Sequence, residues 1–184
     1  MKSVLISINP KFVEKIVRGE KTIEVRKTAP KEVPFKCYIY MTQGTYKDLC
    51  LYSEYIYQNR MKVIGEFICD KVYNLVNAFG GIMFADENLN QLDPQLFRDM
   101  SCLTDKQTAD YLGNKDGYGL HISDLKIYDK PKELSEFCIP CKTNCEDCKK
   151  PIFYDCWKEK GKIKVVTRPP QSYIYVEELC KAQN

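Results

Sequence analysis

Residues 3–26 read SVLISINPKFVEKIVRGEKTIEVR, and three changes of pattern inside this stretch decide the fold. The run SVLISI (3–8) is β-branched and apolar on both faces, the pattern of a buried strand. Asn9 and Pro10 then stop it. Asn9 is a good N-cap, and Pro10 sits where a missing N–H costs nothing. Phe12, Val13, Ile16 and Val17 recur at helical spacing with Lys11, Glu14, Lys15 and Arg18 on the other face, and Gly19 is placed for a left-handed stop. After Gly19 the period drops to two, with Ile23 and Val25 on one side of a strand and Thr22, Glu24 and Arg26 on the other.

Outward from this unit, further strands are predicted at FKCYIYM (35–41), KVIGEFICDKV (62–72), GYGLHISDLKIY (117–128), IKVV (163–166) and YIYVEEL (173–179). Between the 62–72 and 117–128 strands, Thr104 with Gln107 reads as a capping box for a helix that continues through Ala109, Tyr111 and Leu112 to Gly113. Several strands with short helices between them predict an α+β class, a small, mostly antiparallel β-barrel with short flanking helices, rather than a doubly wound sheet. There is no internal repeat. With 184 residues, the expected organisation is a single domain over 1–184, with a Cys-rich insert at 138–161 before the C-terminal strands.

Composition narrows the function classes. The 28 Lys and Arg nearly balance 25 Asp and Glu, so no global field selects a partner, while 44% apolar residues place the chain among folding sequences. The balance is an average. Residues 11–36 hold eight basic and four acidic residues, whereas 86–105 holds five acidic residues against Arg98 alone. The opening MKSVLISINPK lacks the apolar core of a secretory signal, and no apolar run approaches the roughly 20 residues of a membrane span. A cytoplasmic location is expected.

The stretch SINP…IVRGEKTIEVRK resembles the ASCH domain, a branch of the PUA-like superfamily. Three later pieces agree with bacterial and phage-borne members: VIGEFICDKV with Gly65 and Glu66, YGLHISDLKIYDKPKELSEF, and RPPQSYIYVEE. The resemblance implies a curved barrel with a cleft lined by the Lys21 to Arg26 strand, binding RNA or a modified nucleobase or nucleoside. Some ASCH proteins resemble amidohydrolases that remove an acyl group from a modified cytidine with a lysine, a threonine and a glutamate. Lys21 lies on the matching lysine, and Glu24 stands where those enzymes carry the threonine. Arg168, Gln171 and Ser172 fall on a segment that borders the cleft in relatives, so the resemblance makes them ligand contacts.

The residues themselves fit two readings of this strand. In a dry cleft, Lys21 and Glu24 form an acid–base pair and Arg26 offers a planar fork to a phosphate or base edge, with Thr22 beside them. On a solvated face the same groups make ordinary surface pairs. Glu66 follows Gly65 in an apolar strand, where alternation sets it with Ile64 and Ile68; it is either paired in a cleft, as a third catalytic candidate, or at a sheet edge. His121, the single histidine, reads as a hydrogen-bonded surface group or as an acid or base titrating near neutrality. Among 13 tyrosines, Tyr52, Tyr55 and Tyr57 precede Arg60 and Lys62; they either stack on bases or pack half-buried in the barrel. The 43–61 connection is long enough to cover a cleft. The leading expectation is therefore a binding module for RNA or a modified nucleoside. The alternative is a hydrolase acting on an acylated nucleoside, or a ribonuclease, with Lys21 and Glu24 as acid–base groups.

Ten cysteines are the compositional outlier. Cys138-x₂-Cys141-x₃-Cys145-x₂-Cys148 makes two C-x-x-C pairs, with Cys156 following. In a reducing compartment these read as ligands of a structural Zn²⁺, with Cys156 available to replace one of the four, since wrapping all of the first four around one ion is tight. Free surface thiols are the alternative.

Overall fold

In a computed structural model, residues 1–44, 53–78, 81–113, 115–140, 155–156, 161–162 and 164–178 are described. Strand β1 (Ser3–Ile8) runs parallel to β3 (Phe35–Met41) and antiparallel to β12 (Tyr173–Tyr175). Beyond β3 come β4 (Val63–Cys69) and β8 (Ser123–Lys132), giving a five-stranded sheet of order β12-β1-β3-β4-β8. A four-stranded antiparallel sheet has the order β2-β7-β5-β6, from Ile23–Arg26, Gly117–His121, Val72–Ala78 and Gly81–Ala85. Short pairs join β9 (Phe137–Cys138) to β13 (Glu177–Glu178), and β10 (Asp155–Cys156) to β11 (Gly161–Lys162). The α+β class and the antiparallel bias are as expected, with the described ladders divided between two main sheets.

Helix α1 (Pro10–Val17) forms as its sequence dictates. The Asn9 side chain accepts from Lys11 N, Pro10 occupies the first turn, and Val13 and Ile16 are buried. At its end Gly19 takes φ 73°, with Gly19 N bonded to Ile16 O and Glu20 N to Lys15 O. That pair of bonds is a Schellman stop, and its left-handed residue favours glycine. The chain therefore turns sharply into Lys21 and β2.

Three apolar clusters stack through the molecule. Val4, Ile6 and Ile8 of β1 meet Cys37 and Ile39 of β3, Val13 and Ile16 of α1 and Leu120 of β7. The opposite face of the five-stranded sheet buries Leu5, Tyr38, Tyr40 and Tyr128 with Phe137 and Val176. On the far side of the second sheet, Ile23, Val25, Leu75 and Phe84 pack with Phe97 of α3 (Pro94–Ser101) and Leu112 of α4 (Asp105–Leu112). Burying side chains of this size contributes about 1.5–3 kcal/mol each.

Several expectations are corrected. The 62–72 run ends as β4 at Cys69, and Val72 opens β5 in the other sheet. The 117–128 run is likewise two strands, because Ile122 N bonds Thr22 O and Asp124 turns with φ 47°. IKVV contributes only an isolated bridge of Val165 to Cys138 among the described residues. Part of the 43–61 connection is the short helix α2 (Glu54–Gln58); residues 45–52, with Tyr52, lie outside the described residues. The acidic stretch is spent on local structure: Asp86 holds the turn to Asn90, Asp93 caps α3, and Asp105 pairs with Arg98.

Candidate ligand-binding cavity

Ile23 and Val25 point into the cluster with α3 and α4, so alternation turns Glu24 and Arg26 toward β1. Arg26 Nη2 donates to Ser7 O at 2.6 Å and lies 3.0 Å from Glu24 Oε1. Lys21 comes from the other side. Its Nζ donates to Ile23 O and Ser101 O, both at 2.7 Å, and stands 3.4 Å from Glu24 Oε2. Lys21, Glu24 and Arg26 are 2%, 7% and 5% exposed, which removes the reading of a solvated strand face.

The ammonium has three N–H groups, and three acceptors surround it. Burial lowers the Lys21 pKa, and the Glu24 charge opposes that shift. The Phe12 ring lies 5.1 Å from Nζ, a further cation contact. Glu24 has a cation on each oxygen. Arg26 Nε is buried and has no hydrogen-bond partner among the described residues.

These three residues line a cavity of about 590 Å³ that opens between β1, β2 and α4. Phe12, Leu103, Tyr111, Pro169 and Pro170 give it apolar walls, and Ser7, Asn9, Thr42, Gln107 and Gln171 add polar groups. The 168–172 segment is tied across it: Ser7 Oγ donates to Pro170 O at 2.7 Å, and the Thr28 and Ser172 hydroxyls lie 2.9 Å apart.

Of the residues singled out in the sequence, Lys21, Glu24, Arg26 and Gln171 come together here. Ser172 is engaged with Thr28. Thr22 is held through its backbone, donating to Met100 O and accepting from Ile122 N, and Arg168 is exposed; neither is among the lining residues. Tyr55 is elsewhere, its hydroxyl donating to Tyr128 O at 2.9 Å. Glu66 is also not brought to the cavity. It pairs with Lys36 at 3.1 Å and accepts from the Tyr128 hydroxyl at 2.6 Å, beside the second cluster. Burial pushes its pKa up, but these two partners outweigh that and hold it below the usual carboxylate range. The misplacement has a physical cause. Ile39 pairs with Gly65 and Tyr40 with Val63, so Ile64 is an extra bulged residue and alternation fails across it. At this point a Cβ on Gly65 would stand 2.5 Å from Lys126 O.

His121 is a paired surface group, with Nδ1 2.7 Å from Asp70 Oδ1. Asn9, Gln107 and Tyr111 were legible only as a cap, a capping-box partner and a helix residue. The spacing of Gln107 and Tyr111, four apart and so on one helix face, was the available signal that they share a surface. Cys138 is buried in β9 and its thiol donates to Glu177 O at 3.6 Å. Cys141, Cys145, Cys148 and the side chain of Cys156 lie outside the described residues. Among the described residues no three His, Cys, Asp or Glu side chains are grouped to hold a metal, and no helix is long and apolar enough to cross a membrane.

The fold is shared with ASCH crystal structures. The chain is similar to crystal structures of ASCH from Zymomonas mobilis: at 18% identity over 96% of this chain and 88% of that chain the TM-score is 0.54. A serine-to-alanine variant of that protein gives 0.54 at 19% identity, covering 96% and 89% of the two chains. Its tyrosine-to-phenylalanine variant gives 0.51 at 17%, covering 96% and 91%. No protein-family model and no curated protein sequence matches the chain.

Proposed function

We propose that this protein binds a modified nucleobase or nucleoside, free or within RNA, in the cavity lined by Lys21, Glu24 and Arg26. The observation that carries this reading is a buried cation–carboxylate–cation set facing a cavity of about 590 Å³, within the range that encloses one small ligand. Phe12 and Tyr111 offer aromatic faces for stacking, and the Arg26 guanidinium offers a planar donor edge. Binding is favoured over acid–base chemistry because each Lys21 N–H already has an acceptor and each Glu24 oxygen is already paired with a cation. The test is a mass-spectrometric screen of modified and acylated nucleosides. Retention without conversion supports the binding module, whereas turnover that Lys21→Ala abolishes replaces it with the hydrolase.

A second proposal concerns the Cys-rich segment. Its ends meet: Cys138 bridges Val165, and Ile139 N donates to Lys164 O at 2.9 Å. We propose that a structural Zn²⁺ closes this segment. The engagement of the buried Cys138 thiol with Glu177 O favours Cys141, Cys145, Cys148 and Cys156 as the ligand set. Native mass measurement before and after chelation checks it. One zinc per chain, lost on Cys156→Ser but kept on Cys138→Ser, is expected; no bound metal overturns it.

A further inference from the structure

Donors without acceptors stand at the cavity. A backbone N–H can only donate, so the atom facing it must accept. Asn9 meets Lys11 N with Oδ1 at 3.0 Å, and Gln107 meets Thr104 N with Oε1 at 2.9 Å. Both amides thus keep their NH₂ ends out of these bonds; the two residues are exposed at the cavity wall, and neither NH₂ has an acceptor among the described residues. Arg26 adds a buried Nε with no partner among the described residues. Glu24, the one carboxylate among the described lining residues, already pairs with Lys21 and Arg26 through its two oxygens.

The charge is one-sided. Among the described lining residues Lys21 and Arg26 are basic and Glu24 alone is acidic. Loss of the Lys21 proton would remove the excess, but it would turn a lone pair toward one of three oxygens that now each face an N–H. Further cations stand at two of the walls, Lys27 Nζ 5.4 Å over the Tyr111 ring and Lys11 Nζ 5.9 Å over Phe12. A buried excess charge with a buried unpartnered N–H calls for a charged acceptor.

We propose that the ligand enters with an oxyanion, a phosphate or a carboxylate, that neutralises this excess and accepts from Arg26 and from the amide groups of Asn9 and Gln107. The inference rests on the nucleoside reading and narrows it to nucleotides, or to bases that carry a carboxylate.

Gln107→Glu isolates the effect. Glutamate keeps the oxygen that Thr104 N needs, so the capping box survives, while the NH₂ becomes a carboxylate oxygen. Calorimetric titration of the full chain would compare the common nucleosides with their monophosphates, uridine with carboxymethyluridine, and inorganic phosphate alone. At least one oxyanion-bearing probe is expected to bind about tenfold or more tighter than its neutral parent, and Gln107→Glu to erase that difference. Preference for the monophosphate identifies a phosphate, and preference for carboxymethyluridine a base-borne carboxylate. Equal binding of neutral and charged members overturns the oxyanion while leaving the nucleoside reading in place. Binding of inorganic phosphate that is lost in Gln107→Glu, with no gain from any nucleoside, supports the oxyanion and removes the nucleoside. Absence of any binding overturns both.

Discussion

Two carboxylates, Glu24 on β2 and Glu66 on β4 of the other sheet, each pair with a cation and meet opposite fates. Glu24 lines a cavity with Lys21 and Arg26, and one arginine nitrogen beside it has no partner among the described residues. Glu66 lies among Lys36, Tyr128 and Tyr38, where Lys36 sits 5.5 Å over the Tyr38 ring and Lys132 reaches both Glu178 and the Tyr128 ring. In the second group the polar atoms find one another, and neither Glu66, Lys36 nor Tyr128 lines the cavity beside Glu24. Pairing and burial are thus not enough to mark a binding site. A buried donor left without an acceptor among the described residues, beside a cavity, distinguishes the first from the second.

Removing each carboxylate in turn should affect the protein differently. Glu24→Ala leaves two cations buried without their shared anion, and denaturant unfolding is expected to show a loss of about 3–5 kcal/mol; a loss near that of a surface pair would mean that the triplet is open to water. Glu66→Gln, in a half-buried network with a neutral hydrogen-bonding substitute, is expected to cost about 1 kcal/mol. Its pH signature sharpens the contrast. The folded-state pKa of Glu66 is depressed, so its contribution is fully present above the ordinary glutamate range and is lost as pH falls through the folded value. The stability gap between wild type and Glu66→Gln should therefore be flat near neutrality and close only in acid; a gap that widens in acid contradicts the assignment. The smallest effect belongs to Gln107→Glu, whose unfolding free energy should stay within about 0.5 kcal/mol of wild type. A larger loss would show that the capping box did not survive.

How much was legible follows the range of the interactions. The strand, helix and strand from Ser3 to Arg26 were readable because Asn9, Pro10, Gly19 and the change of period act on their own neighbours. Asp93 and Pro94 start α3 as Asn9 and Pro10 start α1, yet that signal was overshadowed by the local acidity, which proved to be caps and turns. Strands β5 and β6 were not read, since VYNLVNA has mostly half-buried residues and weak alternation. For the site, Lys21, Glu24 and Arg26 were found through the signature strand. Their partners Ser7 and Ser101 were not, because both give main-chain carbonyls that carry no side-chain signal. Glu66 was set on the wrong face by a bulge that only cross-strand pairing reveals.

Ligand entry beside Lys21, Glu24 and Arg26 is checked by amide chemical-shift mapping of the full chain during titration with modified nucleosides and nucleotides. Saturable shifts concentrated at residues 22–26, 107–111 and 171–172, with the strand around Glu66 silent, are the predicted result. Shifts centred on Lys36, Glu66 and Tyr128, or none at saturating ligand, would contradict it.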